Sequence, residues 1–196
     1  MAAQRLGKLL PKTTAFFLCD MQESFRSSIR YFPEVIQVAK RMVETAKIMD
    51  IPMIATEQYP KGLGKTVNEI DMTGITAYPK TVFSMLIPEV EEKLKELSDV
   101  KSIVLFGIEA HVCVQQTALD LLERNYDVHI VADGVSARSM TDRMFSFERL
   151  RQSGAFITTS ESVLFGLLGN AKHPNFKEVQ ALVKTSSPDS GLLSKV

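Results

Sequence analysis

The sequence has few cysteines, no net charge and no long apolar run, and each absence removes a class of protein. Its 196 residues include 2 cysteines, Cys19 and Cys113, which are too few for a secreted disulfide scaffold and favour a reducing compartment. Because 23 basic residues balance 23 acidic ones, we expect no general attraction to nucleic acid or to an anionic membrane. No segment approaches the roughly 20 apolar residues of a membrane-spanning helix. The composition therefore predicts a soluble protein with neither nucleic-acid nor membrane partners.

The N-terminal segment bears on the compartment. It lacks the apolar stretch and small-residue cleavage site of a secretory signal. Residues 1–14 carry Arg5, Lys8 and Lys12 without an acid, which weakly resembles a mitochondrial presequence, but a core strand is predicted to begin directly after them. We expect a cytoplasmic protein, with the mitochondrion and the nucleus as alternatives.

Length and composition predict one domain over residues 1–196, with a core at about 14–184 and a C-terminal arm at 185–196. Hydrophobic residues make up 45% of the chain and charged residues 23%, which supplies a packed interior without disulfides or metals. A chain of about this size buries roughly 70% of its surface on folding. The arm is rich in serine and contains Pro188 and Gly191, which is typical of a terminal extension.

Short apolar runs alternate with longer amphipathic stretches along the whole chain. This alternation is typical of βαβ units, and therefore of an α/β fold with a parallel sheet covered by helices on both faces. The predicted strands span residues 14–19, 51–56, 101–106, 128–132 and 155–159, with a weaker one at 77–80. The predicted helices span residues 33–49, 88–97, 112–124, 139–153 and 176–184.

The segment 57–76 interrupts this pattern. It contains Gly62, Gly64 and Gly74 and is long for a loop in a compact domain, so it either covers a substrate or is mobile. Its apolar positions, if exposed, would suit the interface of a homo-oligomer. We therefore expect self-association, without a predicted number of subunits.

Three reactive side chains lie at or just beyond predicted strands, where an open parallel sheet binds its ligands: Asp20, Lys80 and Cys113. A helix N-terminus favours the thiolate of a cysteine such as Cys113, a nearby carboxylate can accept the thiol proton, and a lysine stabilises negative charge. The backbone amides of Val112 and Cys113 are candidate oxyanion donors. From residue type alone, however, an isolated cysteine in an apolar stretch is more often a small buried hydrophobe.

Three segments taken together strengthen the catalytic interpretation. FLCDMQ at 17–22, KTVFS at 80–84 and GIEAHVCVQQTA at 107–118 resemble the isochorismatase-like cysteine hydrolase family, over roughly residues 14–165. The resemblance implies a six-stranded, mainly parallel, Rossmann-like sheet flanked by helices in a three-layer sandwich, and a triad of Asp20, Lys80 and Cys113. It also implies a cis peptide between Ile108 and Glu109, so that a strained turn and an oxyanion site would be formed by Ile108, Glu109, Val112 and Cys113.

The chain departs from the family's metal-binding members. Nicotinamidases of this family hold a metal through an aspartate and two histidines after the second strand, whereas this chain has Glu57, Gln58 and Tyr59 there and no histidine before His111. We therefore expect neither a catalytic metal nor another cofactor. The residues assigned to substrate binding are Gln22, Phe25, Glu57, Gln58, Tyr59, Phe83, Glu109 and Ala110.

Several residues near these positions have a simpler interpretation. Phe83 equally begins a packed helix. Asp133 is either a second acid or a residue that braces a turn through its own backbone, and His111 is either a local hydrogen-bond donor or a surface residue. Cys19 is interpreted as a buried thiol.

The sequence thus predicts a metal-independent cysteine hydrolase acting on a small acyl or amide substrate. Cys113 is the predicted nucleophile, Asp20 the base and Lys80 the group that stabilises charge. Two alternatives remain at this stage. One is a binding or scaffold protein that keeps the fold, and the other is a vinyl-ether hydrolase of the isochorismatase type, which does not need Cys113 as nucleophile.

Overall fold

A computed structural model of the chain describes residues 6–192. Six strands form one sheet in the order β3-β2-β1-β4-β5-β6, and every adjacent pair is parallel. The strands are β1 Thr14–Cys19, β2 Met53–Gln58, β3 Ala77–Lys80, β4 Ser102–Ile108, β5 Asp127–Ser136 and β6 Phe156–Thr158. The predicted six-stranded α/β sheet is confirmed, and it is parallel throughout rather than mainly parallel.

The strand order reverses between β1 and β4. The chain moves outward from β1 through β2 to β3, returns to place β4 on the other side of β1, and then moves outward again. Such a reversal opens a crevice at the carboxyl ends of the two central strands, where open α/β sheets bind ligands. Asp20 follows β1 and Cys113 follows β4, so the topology brings both to this crevice.

The helices cover the two faces of the sheet. Their bounds are α1 Phe32–Met49, α2 Pro60–Leu63, α3 Pro88–Glu96, α4 Gln115–Glu123, α5 Met140–Gln152, α6 Ser160–Leu168 and α7 Phe176–Leu182. In α1, proline stands in the first turn and apolar residues at helical spacing, among them Val35, Ala39 and Met42, are buried. Within residues 6–192, no helix is both long enough and apolar enough to cross a lipid bilayer.

Two strands differ from their predicted bounds in a way that affects the site. β2 begins and ends two residues later than expected, so Glu57 and Gln58 belong to the strand and not to the loop after it. β5 continues to Ser136 because its pairing with β4 shifts register between Leu105 and Gly107 and then resumes. Asp133 therefore lies inside a strand, whereas the sequence had placed it at a strand end.

The sequence analysis missed α6. Thr159 caps its first turn by accepting a hydrogen bond from the Ser162 amide, and Gly169 ends it in the left-handed conformation. These two capping residues are the local sequence signal for the helix. Gly166, in the middle of the helix, weakened the local propensity and obscured that signal.

The segment 57–76 is packed against the body of the protein. Val67 and Ile70 are buried, and Thr66 forms an isolated antiparallel bridge with Gln22. Val67 and Ile70 complete the hydrophobic core, so they are not among the exposed apolar positions that the sequence analysis considered for an interface.

The described part of the C-terminal arm is also anchored. The Arg41 guanidinium donates to Ser187 Oγ at 2.5 Å, and Arg143 donates to the carbonyl of Ser190. These contacts join the arm to α1 and α5. Residues 193–196 of the predicted arm, like Arg5 of the basic N-terminal segment, lie outside the described residues.

Candidate active site

A buried ion pair lies at the carboxyl edge of the sheet. Lys80 Nζ is 2.7 Å from Asp20 Oδ2, and the two side chains are 0% and 1% exposed. Lys80 ends β3, which is separated from β1 by β2, so its long side chain spans the width of one strand to reach Asp20. Asp20 itself has a left-handed backbone, with φ of 48°.

Each oxygen of the Asp20 carboxylate has one partner. Thr56 Oγ1 donates to Oδ1 at 2.8 Å, and Lys80 donates to Oδ2. Thr56 lies on β2 directly beside Cys19 of β1. The carboxylate is thus held in one orientation by two neighbouring strands while its remaining lone pairs stay available to accept a proton.

The Lys80 ammonium has four oxygen acceptors. Besides Asp20, these are Gln58 Oε1 at 2.6 Å, the Phe83 carbonyl at 2.9 Å and the Val82 carbonyl at 3.2 Å. Burial disfavours the charged form, but the neighbouring Cys19, Asp20 and Cys113 side chains outweigh burial and raise the pKa of Lys80 above its usual value. Lys80 is therefore a fixed positive charge at neutral pH.

Cys113 lies in a single turn of π-helix, Ala110–Val114, between β4 and α4. Its side chain is nearly buried, with the residue 7% exposed. The Thr117 hydroxyl donates to the Cys113 carbonyl at 2.6 Å and accepts from the Met85 amide at 2.9 Å. This turn is thereby tied to the segment that follows Lys80.

The peptide bond between Ile108 and Glu109 is cis, as the family resemblance implied. Ile108 and Ala110 are fully buried on either side of Glu109. Of the two amides predicted to stabilise an oxyanion, that of Val112 already donates to the Glu109 carbonyl at 3.1 Å. The Cys113 amide remains the candidate donor.

Gly107 permits the close approach of β1 and β4 at this point. Its φ is 119°, and a Cβ atom built there would lie 2.1 Å from the carbonyl oxygen of Cys19. Any side chain at this position would collide with the backbone of β1. A residue other than glycine would therefore separate the strands that carry Asp20 and Cys113.

Cys19 is buried, as the sequence analysis expected, but it is not remote from the site. Its thiol lies close enough to the Cys113 thiol for the two groups to interact. Burial, the contact with Cys113 and the neighbouring Asp20 carboxylate raise the pKa of the Cys19 thiol well above its usual value. Cys19 is thus a protonated thiol beside Cys113, a relationship that the sequence alone did not indicate.

Three residues assigned to substrate binding use their polar atoms within the protein. The Gln22 amide donates to the carbonyls of Gln58 and Gly64 and accepts from the Gln58 amide. The Glu57 carboxylate holds Lys65 and Thr66. The Gln58 side chain joins Lys80 to the carbonyl of Thr81. In the structure these three position the site instead of presenting free groups to a ligand.

The other assigned residues fall into two groups. Tyr59, after β2, and Phe83, after β3, are 54% and 50% exposed. Tyr59 also lines a groove of about 620 Å³ together with Val82 and Leu86. Phe25 is half-buried against the core, and Glu109 pairs with Arg138 at 3.1 Å. Phe83 and Tyr59 therefore remain available to a ligand, whereas the Glu109 carboxylate is occupied. Ala110 is fully buried, and its carbonyl accepts from the Ser146 hydroxyl.

Asp133 and His111 have structural partners outside the ion pair. The sequence suggested that Asp133 braces its own turn. In the structure its carboxylate instead accepts hydrogen bonds from the backbone amide and the hydroxyl of Ser160, at 2.8 and 2.6 Å. It thereby fixes the start of α6. His111 Nε2 lies 3.9 Å from Asp142 Oδ2 on α5, a longer and weaker contact than the expected hydrogen bond. Across residues 6–192, no three His, Cys, Asp or Glu side chains gather into a cluster that could hold a metal ion.

The fold and the site define an α/β protein with a carboxylate, an ammonium and a thiol at the topological switch point of a parallel sheet. The family model for the isochorismatase domain matches residues 14–162. The chain belongs to the isochorismatase-like hydrolase family.

Known relatives agree with this assignment. Isochorismatase domain-containing protein 2 of Xenopus laevis is 58% identical over 191 residues, which cover 97% of this chain and 93% of the relative. A Caenorhabditis elegans structure described as MAR1 ribonuclease is 51% identical with a TM-score of 0.92, covering 96% of this chain and all of the other. The Escherichia coli YcaC gene product, described as an octameric hydrolase of unknown specificity, is 20% identical with a TM-score of 0.80, covering 91% and 97%. At that identity YcaC shows the fold alone.

Proposed function

We propose that this protein is a cysteine hydrolase that acts on a small acyl or amide substrate without a metal. Cys113 is the nucleophile, Asp20 the general base and then acid, and Lys80 the fixed positive charge. The observation that carries the proposal is the buried Lys80–Asp20 pair, 2.7 Å apart, at the crevice where Cys113 also lies.

The energetics of this pair support a catalytic role. Removing two charges from water costs free energy that their attraction does not always return, so a buried ion pair is weak evidence for stability. Perturbed ionisable groups at a sheet's switch point are instead typical of functional sites. The raised pKa of Lys80 keeps its charge in place while a substrate gains and loses negative charge.

The proposed reaction has two halves. Asp20 accepts the Cys113 thiol proton as the sulfur attacks the acyl carbon, and the Cys113 amide and Lys80 stabilise the resulting oxyanion. The bond to the leaving group breaks, and Asp20 returns the proton to the departing amine or alcohol. Water, deprotonated by Asp20, then hydrolyses the thioester and restores the free thiol.

The test is to incubate the protein with a panel of short amides and activated esters and to detect an acyl adduct on the intact protein by mass spectrometry. The matched variants are Cys113→Ala, Cys19→Ala and Asp20→Asn. We expect adduct and turnover in the wild type and in Cys19→Ala but not in Cys113→Ala. The absence of any Cys113-dependent adduct across the panel contradicts the proposal.

The same variants separate the alternatives. Turnover of a vinyl ether that survives Cys113→Ala but not Asp20→Asn supports the isochorismatase type of reaction. Because one relative is described as a ribonuclease, a short single-stranded RNA belongs in the panel. Cleavage of that RNA by the Cys113→Ala variant would support a ribonuclease activity that does not need the thiol. Inertness toward every substrate, with an unreactive Cys113, supports a scaffold.

We also propose that the protein forms a homo-oligomer through the outer face of α5. Met144 and Phe145 are 57% and 58% exposed there. Met144 also lines a cavity of about 640 Å³ together with Met140 and Leu192. Exposed apolar residues in such a cluster mark association surfaces.

Light scattering after size-exclusion chromatography tests this second proposal. We expect a mass of more than one chain, which Phe145→Asp reduces and Val82→Asp does not. Val82 is a matched control because it is apolar, 56% exposed and follows β3, not α5. A monomeric wild type contradicts it.

A further inference from the structure

The two cysteines of this chain meet in the site although they come from different strands. Cys19 is the last residue of β1, and Cys113 follows β4, the strand that pairs with β1. Cys19 lies directly opposite Gly107, whose missing side chain lets the two strands close together. The two thiols lie close enough to interact, and neither is part of a disulfide.

The proposed hydrolysis does not use Cys19. A small buried alanine or serine would fill the end of β1 without placing a second sulfur against the nucleophile. The surroundings also distinguish the two thiols, because Cys19 is 0% exposed whereas Cys113 retains 7%. An oxidant entering from solvent therefore meets Cys113 first.

We propose that Cys19 is a resolving thiol, which converts an oxidised Cys113 into a reversible Cys19–Cys113 disulfide. This inference rests on the proposed function, since it takes Cys113 as the reactive sulfur. The oxidant is a hydroperoxide, such as hydrogen peroxide, and the reductant is a dithiol.

The Cys113 sulfur attacks one oxygen of the peroxide, the O–O bond breaks, and Cys113 sulfenic acid forms with release of water. Cys19 then transfers its proton to Asp20 and attacks the Cys113 sulfur. The S–S bond forms as the S–O bond breaks, and the departing hydroxide takes the proton from Asp20 to form a second water. Two thiols are oxidised, and one peroxide is reduced to two waters.

The disulfide would inactivate Cys113 reversibly and would also protect it from irreversible oxidation. Without a resolving thiol, a sulfenic acid proceeds with more peroxide to the irreversible sulfinic acid. In the disulfide, Cys113 is blocked from attacking a substrate, and a dithiol restores both groups. The hydrolase would thus be switched off by peroxide and recover afterwards.

The experiment treats the full chain with graded hydrogen peroxide, divides the sample, and reduces one half with dithiothreitol before peptide mass spectrometry. In the wild type we expect a linked Cys19–Cys113 peptide pair that has lost two hydrogens, and return of both free thiols on reduction. In Cys19→Ser we expect Cys113 to gain two oxygens and not to recover. Circular dichroism of each variant verifies that it is folded.

Two results overturn the proposal. One is a wild-type Cys113 that gains two oxygens as readily as in Cys19→Ser, with no linked pair. The other is a disulfide between separate chains instead of within one. Alkylation of untreated Cys113 in the same samples reports on the proposed hydrolase separately, so failure of the disulfide is distinguishable from failure of the nucleophile.

Discussion

Lys80 Nζ and Asp20 Oδ2 lie 2.7 Å apart in a part of the protein that solvent does not reach. Each charge is therefore tolerated only because of the other. The Gln58 side chain and the carbonyls of Val82 and Phe83 complete the shell around Lys80, so the pair belongs to a network that joins β1, β2 and the segment after β3.

The first prediction concerns breaking this pair. Lys80→Met leaves a buried carboxylate and Asp20→Asn leaves a buried ammonium without its anion, and each single change should cost about 3–5 kcal/mol of unfolding free energy. The double variant should cost clearly less than the sum, because neither charge is then left alone. Urea unfolding of the four proteins measures the coupling. Additive losses would show that the two groups do not interact.

The second prediction compares two glycines with positive φ. Gly107 has a φ of 119° and backbone atoms of Cys19 in the position of a Cβ, whereas Gly154 has a φ of 99° and nothing within 4 Å. Gly154→Ala should cost only backbone strain, about 1–2 kcal/mol. Gly107→Ala adds a collision with β1 and should cost more than about 4 kcal/mol or prevent folding.

Urea midpoints of the two alanine variants test this difference. The Gly154 variant serves as the control for strain without collision. Equal losses in the two variants would mean that β1 and β4 can separate at Gly107 without penalty, and that the close approach of the strands does not depend on this glycine.

The third prediction is an acid sensitivity that arises from His129. This side chain is buried in β5 and stacks on Phe156 with ring centroids 4.9 Å apart. Burial lowers the pKa of His129 from 6.5 to about 4, and the nearby Asp127 only partly opposes this effect. Between those two pH values the unfolded chain binds a proton that the folded protein does not, so stability is lost as the pH falls from 6.5 toward 4.

The size of this loss follows from the shift. A pKa lowered from 6.5 to about 4 corresponds to about 3 kcal/mol of unfolding free energy. The folded protein has this stability at neutral pH and has lost it by about pH 4. His129→Phe keeps an aromatic ring against Phe156 but cannot take up a proton. The stability advantage of the wild type over this variant should therefore shrink by about that amount between pH 7 and pH 4. An unchanged difference across this range would refute the assignment to His129.

Much of the fold was predictable because the signals are local. The apolar runs of the central strands and the proline and spacing of α1 indicate their elements without knowledge of the partners. The registers were not predictable in this way. The two-residue displacement of β2 and the extension of β5 depend on pairing with β1 and β4, which no single stretch of sequence contains.

The candidate site was likewise predictable only in part. Asp20, Lys80 and Cys113 were predicted as a set because each lies at or beyond a strand and within a family pattern. The hydrogen-bond partners of the polar residues around them could not be predicted from the sequence. Glu57 binds Thr66, nine residues later, and Asp133 binds Ser160 on another element. The contact between Cys19 and Cys113 likewise exists only after β1 and β4 have paired.

We propose that Cys113 is a nucleophile made reactive by Asp20 and Lys80. The most direct measurement is the rate of alkylation of Cys113 and Cys19 by iodoacetamide across pH 5 to 9, read by peptide mass spectrometry in the wild type, Asp20→Asn and Lys80→Gln. We expect Cys113 to react many-fold faster than Cys19 at neutral pH, and both substitutions to change the Cys113 rate. An inert Cys113, or one whose rate is the same in all three proteins, would contradict the account.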